Sequence, residues 1–177
     1  MEDIWGERTN PTALVFERFQ QNWPEMRTPA MALAIMIQRL ARLIRESARA
    51  SLEPFGISLT EFEAMAALRS HPAPHRVMPS ALYDTLLITS GGLTKVLKGL
   101  ETRGLIHRPL AEGDGRLRPV ELTAKGIVTV EAAMRAVQAA DARLLRDGLG
   151  GDGEFDRFVG SLTNLLACAE DRRPRHE

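Results

Sequence analysis

The stretch that decides the fold runs Pro79-Ser80-Ala81-Leu82-Tyr83-Asp84-Thr85-Leu86-Leu87-Ile88-Thr89-Ser90-Gly91-Gly92-Leu93-Thr94-Lys95-Val96-Leu97-Lys98-Gly99-Leu100-Glu101-Thr102-Arg103-Gly104. Pro79 suits the first turn of a short helix reaching Leu86 or Leu87, since its missing N–H would have no intrahelical partner there. Ile88 and Thr89 then form a tight turn, and a second helix runs from Ser90 to about Thr102, where Gly104 stops it. Leu93, Val96, Leu97 and Leu100 repeat at helical spacing and anchor this second helix, leaving Ser90, Gly91, Thr94, Lys95 and Lys98 toward solvent. Two short helices across a tight turn are the parts of a helix-turn-helix, whose second helix enters the DNA major groove.

The exposed set is small, hydroxylic or positive. Thr89 is the cap candidate, and the free amides of the first turn can hold a phosphate. Gly91 and Gly92 either let a backbone or base edge come close or form a flexible turn. Thr94 and Lys95 have the reach for base edges, and Lys98 for a base or a phosphate.

Downstream, Ile106 to Leu110 and Arg118 to Leu122 are expected as two short strands around a tip containing Gly113, Asp114 and Gly115. Such a pair is marginal alone and must lean on the helices. Arg116 and Arg118 stand at or beside the tip, where a guanidinium can enter a narrow minor groove or meet its phosphates. Asp114 is repelled by DNA, so its expected work is internal: accepting turn amides or pairing with Arg116 to stiffen the wing.

Around this centre the chain is helical. Thr12 to Trp23 predicts a short helix. Pro29 opens a long amphipathic one with Met31, Leu33, Ile37, Leu40, Ile44 and Ala48 on its apolar face, ended by Pro54 and Gly56. Thr60 and Glu63 have the spacing of a capping box for a helix carrying Phe62, Met65 and Leu68. Ser70 to Val77, with Pro72 and Pro74, is expected as a loop. Thr123 caps a long helix to about Leu145, and Phe155 to Leu166 form the last one.

Composition narrows the function classes. With 23 basic and 23 acidic residues among 177, formal net charge is zero, so any attraction to a polyanion must be local. Between Lys95 and Arg118 six basic residues face three acidic ones, which supplies it. The one cysteine, Cys168, excludes an internal disulfide and fits a reducing, cytoplasmic compartment; late in an apolar helix, it is expected as a buried structural residue. No apolar run approaches the ~20 residues of a membrane span. His71, His75, His107 and His176 have no metal-ligand spacing, so no metal or cofactor is expected. No phosphate-binding glycine loop, nucleophile elbow or metallo-hydrolase motif appears, which argues against an enzyme.

The chain resembles the multiple antibiotic resistance regulator (MarR) family. The resemblance rests on Ser58-Leu59-Thr60-Glu61-Phe62, on the helix-turn-helix through Gly104-Leu105-Ile106-His107-Arg108, and on Asp114-Gly115-Arg116-Leu117-Arg118-Pro119-Val120-Glu121-Leu122-Thr123, followed by Lys125-Gly126. The last segment follows the family's Asp-x-Arg, three residues, Val-x-Leu-Thr pattern. Gly115 departs from it where many members have arginine, Met78 where a capping hydroxyl is common, and Pro119 removes a donor from a wing strand.

The resemblance implies a mainly α fold with a small β wing: a winged helix-turn-helix with N- and C-terminal dimerisation helices. It divides the chain into a dimerisation extension at 1–56, a DNA-binding domain at 57–123 and dimerisation helices with a tail at 124–177. It places Thr94, Lys95 and Lys98 on the recognition helix, Asp114 in wing support and Arg116 as the wing arginine. It further implies a homodimer on a palindromic operator in double-stranded DNA, commonly a repressor released by a small aromatic or phenolic effector. A pocket for that effector is expected where the Pro29 helix, the Thr60 helix and the head meet, with Trp23, Arg45, Arg49 or His75 at its rim. The competing reading is a winged-helix protein-interaction module that keeps the fold without binding DNA.

Overall fold

In a computed structural model, the described residues are 11–26, 28–86, 90–109 and 118–172. Capping chemistry sets where the helices begin. Helix α1 covers Pro11–Asn22 and is followed by a 3-10 turn at Pro24–Met26. Helix α2, Pro29–Leu52, is capped by Thr28, whose Oγ1 accepts from the Met31 amide at 3.2 Å while Pro29 takes the position that needs no donor. It closes through a 3-10 turn, Glu53–Phe55, and Gly56 in the left-handed region at φ 61°.

Helix α3, Leu59–Arg69, starts earlier than expected. Its capping box is Ser58 with Glu61, not Thr60 with Glu63: Ser58 Oγ accepts from the Glu61 amide at 3.3 Å, and a Glu61 carboxylate oxygen accepts from the Ser58 amide at 2.8 Å. The hydroxyl-x-x-glutamate spacing occurs twice in register 58–63, and the earlier copy wins because Ser58 lies at the extended residue just outside the helix.

Helices α4 (Pro79–Leu86) and α5 (Ser90–Thr102) follow as expected, and α6 (Ala124–Arg146) is capped by Thr123, which accepts from the Gly126 amide at 3.0 Å. Helix α7 spans Asp152–Asp171.

The sheet has one strand more than predicted. Arg76–Val77, expected as loop, is strand β1; β2 is Ile106–His107 and β3 is Val120–Leu122, in the antiparallel order β1-β3-β2. Two residues are too few to show alternation, but Val77 is buried opposite Val120, so β1 closes the free edge of β3. The strands are shorter than predicted, and Pro119 falls just ahead of β3, where its missing donor costs no ladder bond.

The chain divides into two compact units, Met1–Glu46 and Ser47–Glu177, with the division inside α2. In the first, Phe16 and Ala32 are buried and the Phe19 and Trp23 rings stack with centroids 6.4 Å apart. The α2 residues Leu33, Met36, Ile37 and Leu43 stay exposed. The second holds the main core, where Leu52, Phe62, Met65, Leu68, Leu82, Leu93, Leu97, Leu100, Ile106, Val120 and Val130 close on one another. Burial of so many large side chains, each worth about 1.5–3 kcal/mol, makes this unit the rigid frame for the head.

Helix α7 contributes no buried residue: Phe158, Val159, Leu165 and Leu166 are between 41% and 52% exposed. Cys168 is exposed with them, against the expectation of a buried cysteine, because the apolar helix that carries it leaves this face uncovered in the single chain.

Candidate nucleic-acid interface

Helix α5 is oriented by its leucines. Leu93, Leu97 and Leu100 of α5 are essentially inaccessible and Val96 is half-buried, which fixes the rotation of the helix and turns Thr94, Lys95 and Lys98 outward. Gly104, at φ 66°, ends it in the left-handed conformation that glycine adopts without penalty, and the Leu105 amide reaches back to the Leu100 carbonyl at 3.0 Å.

The far end of α5 is held by a charged clamp. Arg103 donates through Nε to the Gly99 carbonyl at 3.2 Å, through Nη1 to the Gly56 carbonyl at 2.6 Å, and through Nη2 to Glu61 Oε1 in a short ion pair. The other Glu61 oxygen takes the Ser58 amide at 2.8 Å and hydroxyl at 3.0 Å. Burial pushes the Glu61 carboxyl up, but hydrogen bonds from the Ser58 amide, Arg103 and the Ser58 hydroxyl, with the Arg103 charge, outweigh it and hold the group below its ordinary range. A carboxylate depressed in the folded state stabilises the fold above its unfolded pKa, and that contribution is lost as pH falls through the folded value. Beside the clamp opens a surface cleft of about 540 Å³ onto which Lys95, Lys98 and Thr102 also face.

The base of the wing is tied across strands. Glu121 in β3 stands opposite Arg76 of β1 and His107 of β2. Arg76 Nε and Nη2 each lie 2.7 Å from Glu121 Oε2, and His107 Nε2 lies 3.7 Å from Oε1. Below it, the Thr123 hydroxyl donates to the Gly104 carbonyl at 2.7 Å, the Thr123 amide to the Leu105 carbonyl at 3.1 Å, and Lys125 Nζ to the Arg103 carbonyl at 3.0 Å. The first turn of α6 is thereby bolted to the turn that follows α5.

Of the residues expected to meet DNA, Thr94, Lys95 and Lys98 share the exposed side of α5, Ser90 and Gly91 lie in its first turn, and Gly92 is half-buried. Arg118 is exposed. Thr89, Asp114, Gly115 and Arg116 lie outside the described residues.

The expected effector rim falls in both units: Trp23 and exposed Arg45 in the first, exposed Arg49 and half-buried His75 in the second. His75 sits at φ 60° with Nδ1 2.6 Å from the His71 carbonyl oxygen. A separate cavity of about 360 Å³ opens between α3 and α6, lined by Ala66, Arg69, Ser70, Val130, Glu131, Met134 and Arg135, with Arg69 paired to Glu131 at 2.7 Å.

Sequence reasoning missed Arg103 and Glu61 as a unit. Glu61 carried a local signal in its spacing from Ser58, whereas the 42-residue separation of the pair leaves none. Among the described residues no cluster of His, Cys, Asp or Glu has the makings of a metal site, and no helix is long and apolar enough to cross a membrane.

A family model described as MarR family matches residues 55–117. The HTH-type transcriptional repressor Rv2887 of Mycobacterium tuberculosis (strain ATCC 25618 / H37Rv) is 32% identical over 131 residues, spanning 73% of this chain and 92% of that protein. Among solved structures, the M. tuberculosis MarR family protein Rv2887 in complex with DNA superposes with a TM-score of 0.63 at 28% identity, covering 75% of this chain and 96% of that one. The same protein in complex with p-aminosalicylic acid gives a TM-score of 0.61 at 28% identity, with 75% and 97% covered.

Proposed function

This chain belongs to the MarR family, and from that premise we propose that it is a homodimeric, sequence-specific DNA-binding transcription regulator rather than an enzyme. It acts in the cytoplasm as a repressor on a palindromic operator and responds to a small aromatic or phenolic effector. The observation that carries the reading is α5: three buried leucines commit one side to the core, and the opposite side carries exposed Thr94, Lys95 and Lys98, with exposed Glu101 one turn beyond them toward the helix end.

In this reading residues 57–123 form the DNA-binding domain, and 1–56 with 124–177 supply the dimer platform and tail. Thr94 and Lys95 read base edges. Lys98, Arg118 and the first-turn residues Thr89, Ser90, Gly91 and Gly92 position the backbone, and Asp114 braces Arg116 in the wing. A relative solved with DNA and with p-aminosalicylic acid supports both the partner and the class of effector. Trp23, Arg45, Arg49 and His75 are the residues proposed to meet the effector.

Selection of bound duplexes from a random library by the purified full-length chain tests this directly. A palindrome with half-sites about one helical turn apart is the expected product. Arg116→Ala should weaken binding to it and lower the salt slope by about one, and Thr94→Ala or Lys95→Ala should relax base preference within each half-site. Titration with p-aminosalicylic acid should then lower operator affinity, since an effector that binds both states equally shifts nothing. Failure to enrich any duplex sinks the DNA reading in favour of a protein-interaction module, and an unchanged affinity at saturating aromatic acid removes the effector.

A further inference from the structure

We infer that Arg103 is a positioning residue for DNA binding, locking the reading helix to the capping box of α3 and to the end of α2 through its contacts with Glu61 and the Gly56 carbonyl. The inference rests on the DNA-binding reading above and adds to it a residue outside the DNA-facing set.

Three observations converge on the clamp. Each guanidinium nitrogen has a partner within the protein: Nε the Gly99 carbonyl of α5, Nη1 the carbonyl of Gly56 after α2, Nη2 the Glu61 carboxylate. A planar fork with fixed donors holds three acceptors in one geometry, which a lysine ammonium does not. Glu61 is equally committed, since its second oxygen holds the Ser58 cap.

The third observation is Gly99. It lies inside α5, where glycine is disfavoured relative to alanine. A Cβ there would stand 3.2 Å from Glu61 Oε1. The bare backbone at position 99 leaves the carboxylate room against the reading helix, where an added Cβ would press it back by a few tenths of an ångström.

The consequence follows from rigidity. Thr94, Lys95 and Lys98 contribute to specificity only if α5 presents them in a fixed pose, because a misplacement of about 1 Å forfeits directional hydrogen bonds. The leucines fix the rotation of α5 about its axis. Arg103 fixes its far end against α3 and against Gly56, so a shift of the α2 terminus reaches the reading helix through this directional contact as well as through the shared core. That makes the clamp a route by which events on α2 change the pose of α5.

The test uses the full-length chain, the duplex returned by the selection above, and a salt series. Arg103→Gln should reduce affinity by tenfold or more with an unchanged salt slope, because no phosphate contact is lost, whereas a phosphate-contacting arginine would take about one from the slope. Glu61→Gln should act in the same direction although it removes a negative charge, and the double variant should be little worse than Arg103→Gln alone. Arg103→Lys should fall between. Hydrogen exchange supplies a readout without DNA: the α5 amides should exchange faster in Arg103→Gln while the core amides of Leu68 and Val130 do not.

Unchanged affinity in Arg103→Gln overturns the inference. So does a lowered salt slope, or tighter binding by Glu61→Gln, either of which would make Arg103 a direct phosphate contact. If no duplex is ever enriched, the DNA reading fails by itself, and unaltered α5 exchange in Arg103→Gln would then overturn the clamp separately.

Discussion

At the scale of single residues, the tightest constraint among the described glycines is the absence of a side chain at Gly126, in the first turn of α6. A Cβ on this residue would sit 2.0 Å from the Leu105 carbonyl oxygen and 3.2 Å from Leu122 Cδ2. The obstacle is backbone and cannot swing away. It is held there because the Thr123 amide donates to that same carbonyl and the Thr123 hydroxyl lies 3.2 Å from it. Gly126→Ala must therefore push α6 off the turn behind the reading helix, at a cost of about 3 kcal/mol, the upper end for overpacking. For a chain of this length that lowers Tm by roughly 10 °C. Gly153→Ala, where nothing lies within 4 Å of the added carbon, should leave Tm unchanged or raise it. Thermal unfolding followed by circular dichroism measures both, and equal Tm values for the two variants would show that α6 does not need this close approach.

Elements obey the same local logic until the partners are distant in sequence. The wing sheet is three short strands whose cross-strand ladder is Arg76, Glu121 and His107, with Glu121 only 13% exposed between two half-exposed partners. Glu121→Ala should cost about 1 kcal/mol, a surface-pair value since both partners are well solvated, and should show as faster hydrogen exchange of the Val120 and Leu122 amides. Exchange unchanged from wild type would mean that Val77, Ile106 and Val120 hold the sheet by burial alone.

That ladder also marks where the chain stops being legible. Helices α2, α5 and α6 follow from apolar periodicity plus Thr, Pro and Gly at their ends, because those signals act within a few residues. Strand β1 reads as loop in the sequence, since two residues between prolines and a helix carry no period and the partner of Val77, Val120, lies more than 40 positions away. The Ser58 box lost to Thr60 for a related reason: two equally spaced pairs compete, and only the extended backbone at Ser58 decides between them. On the candidate interface, Thr94, Lys95 and Lys98 were readable because the buried leucines beside them set the phase. The clamp was not readable, since nothing local to Arg103 says that Glu61 and Gly56 wait for it.

For the whole molecule the governing fact is unburied apolar surface on long helices. On α7 the residues Phe158, Val159, Leu162, Leu165 and Leu166 recur at steps of one, three, three and one, which is one stripe of a helix, and none is buried. On α2 the stripe Leu33, Met36, Ile37 and Leu43 is likewise exposed. At about 25 cal/mol per Å², leaving two such stripes in water forgoes several kcal/mol, and a second copy of the chain is the partner that the proposed two-headed regulator requires. The glutamates in a Val159→Glu/Leu166→Glu double variant would place two charges in the middle of the α7 stripe. Wild type should scatter light at twice the chain mass at micromolar concentration, and the double variant at the single-chain mass with its core intact by circular dichroism. Operator affinity should fall by far more than the two lost side chains explain, because each head would then bind alone and the gain from joining two sites disappears. A wild type that runs as a single chain, yet binds a palindrome as tightly as at high concentration, would break the link between these stripes and DNA recognition. A double variant that remains at twice the mass would move the interface away from α7 and leave the α2 stripe to carry it.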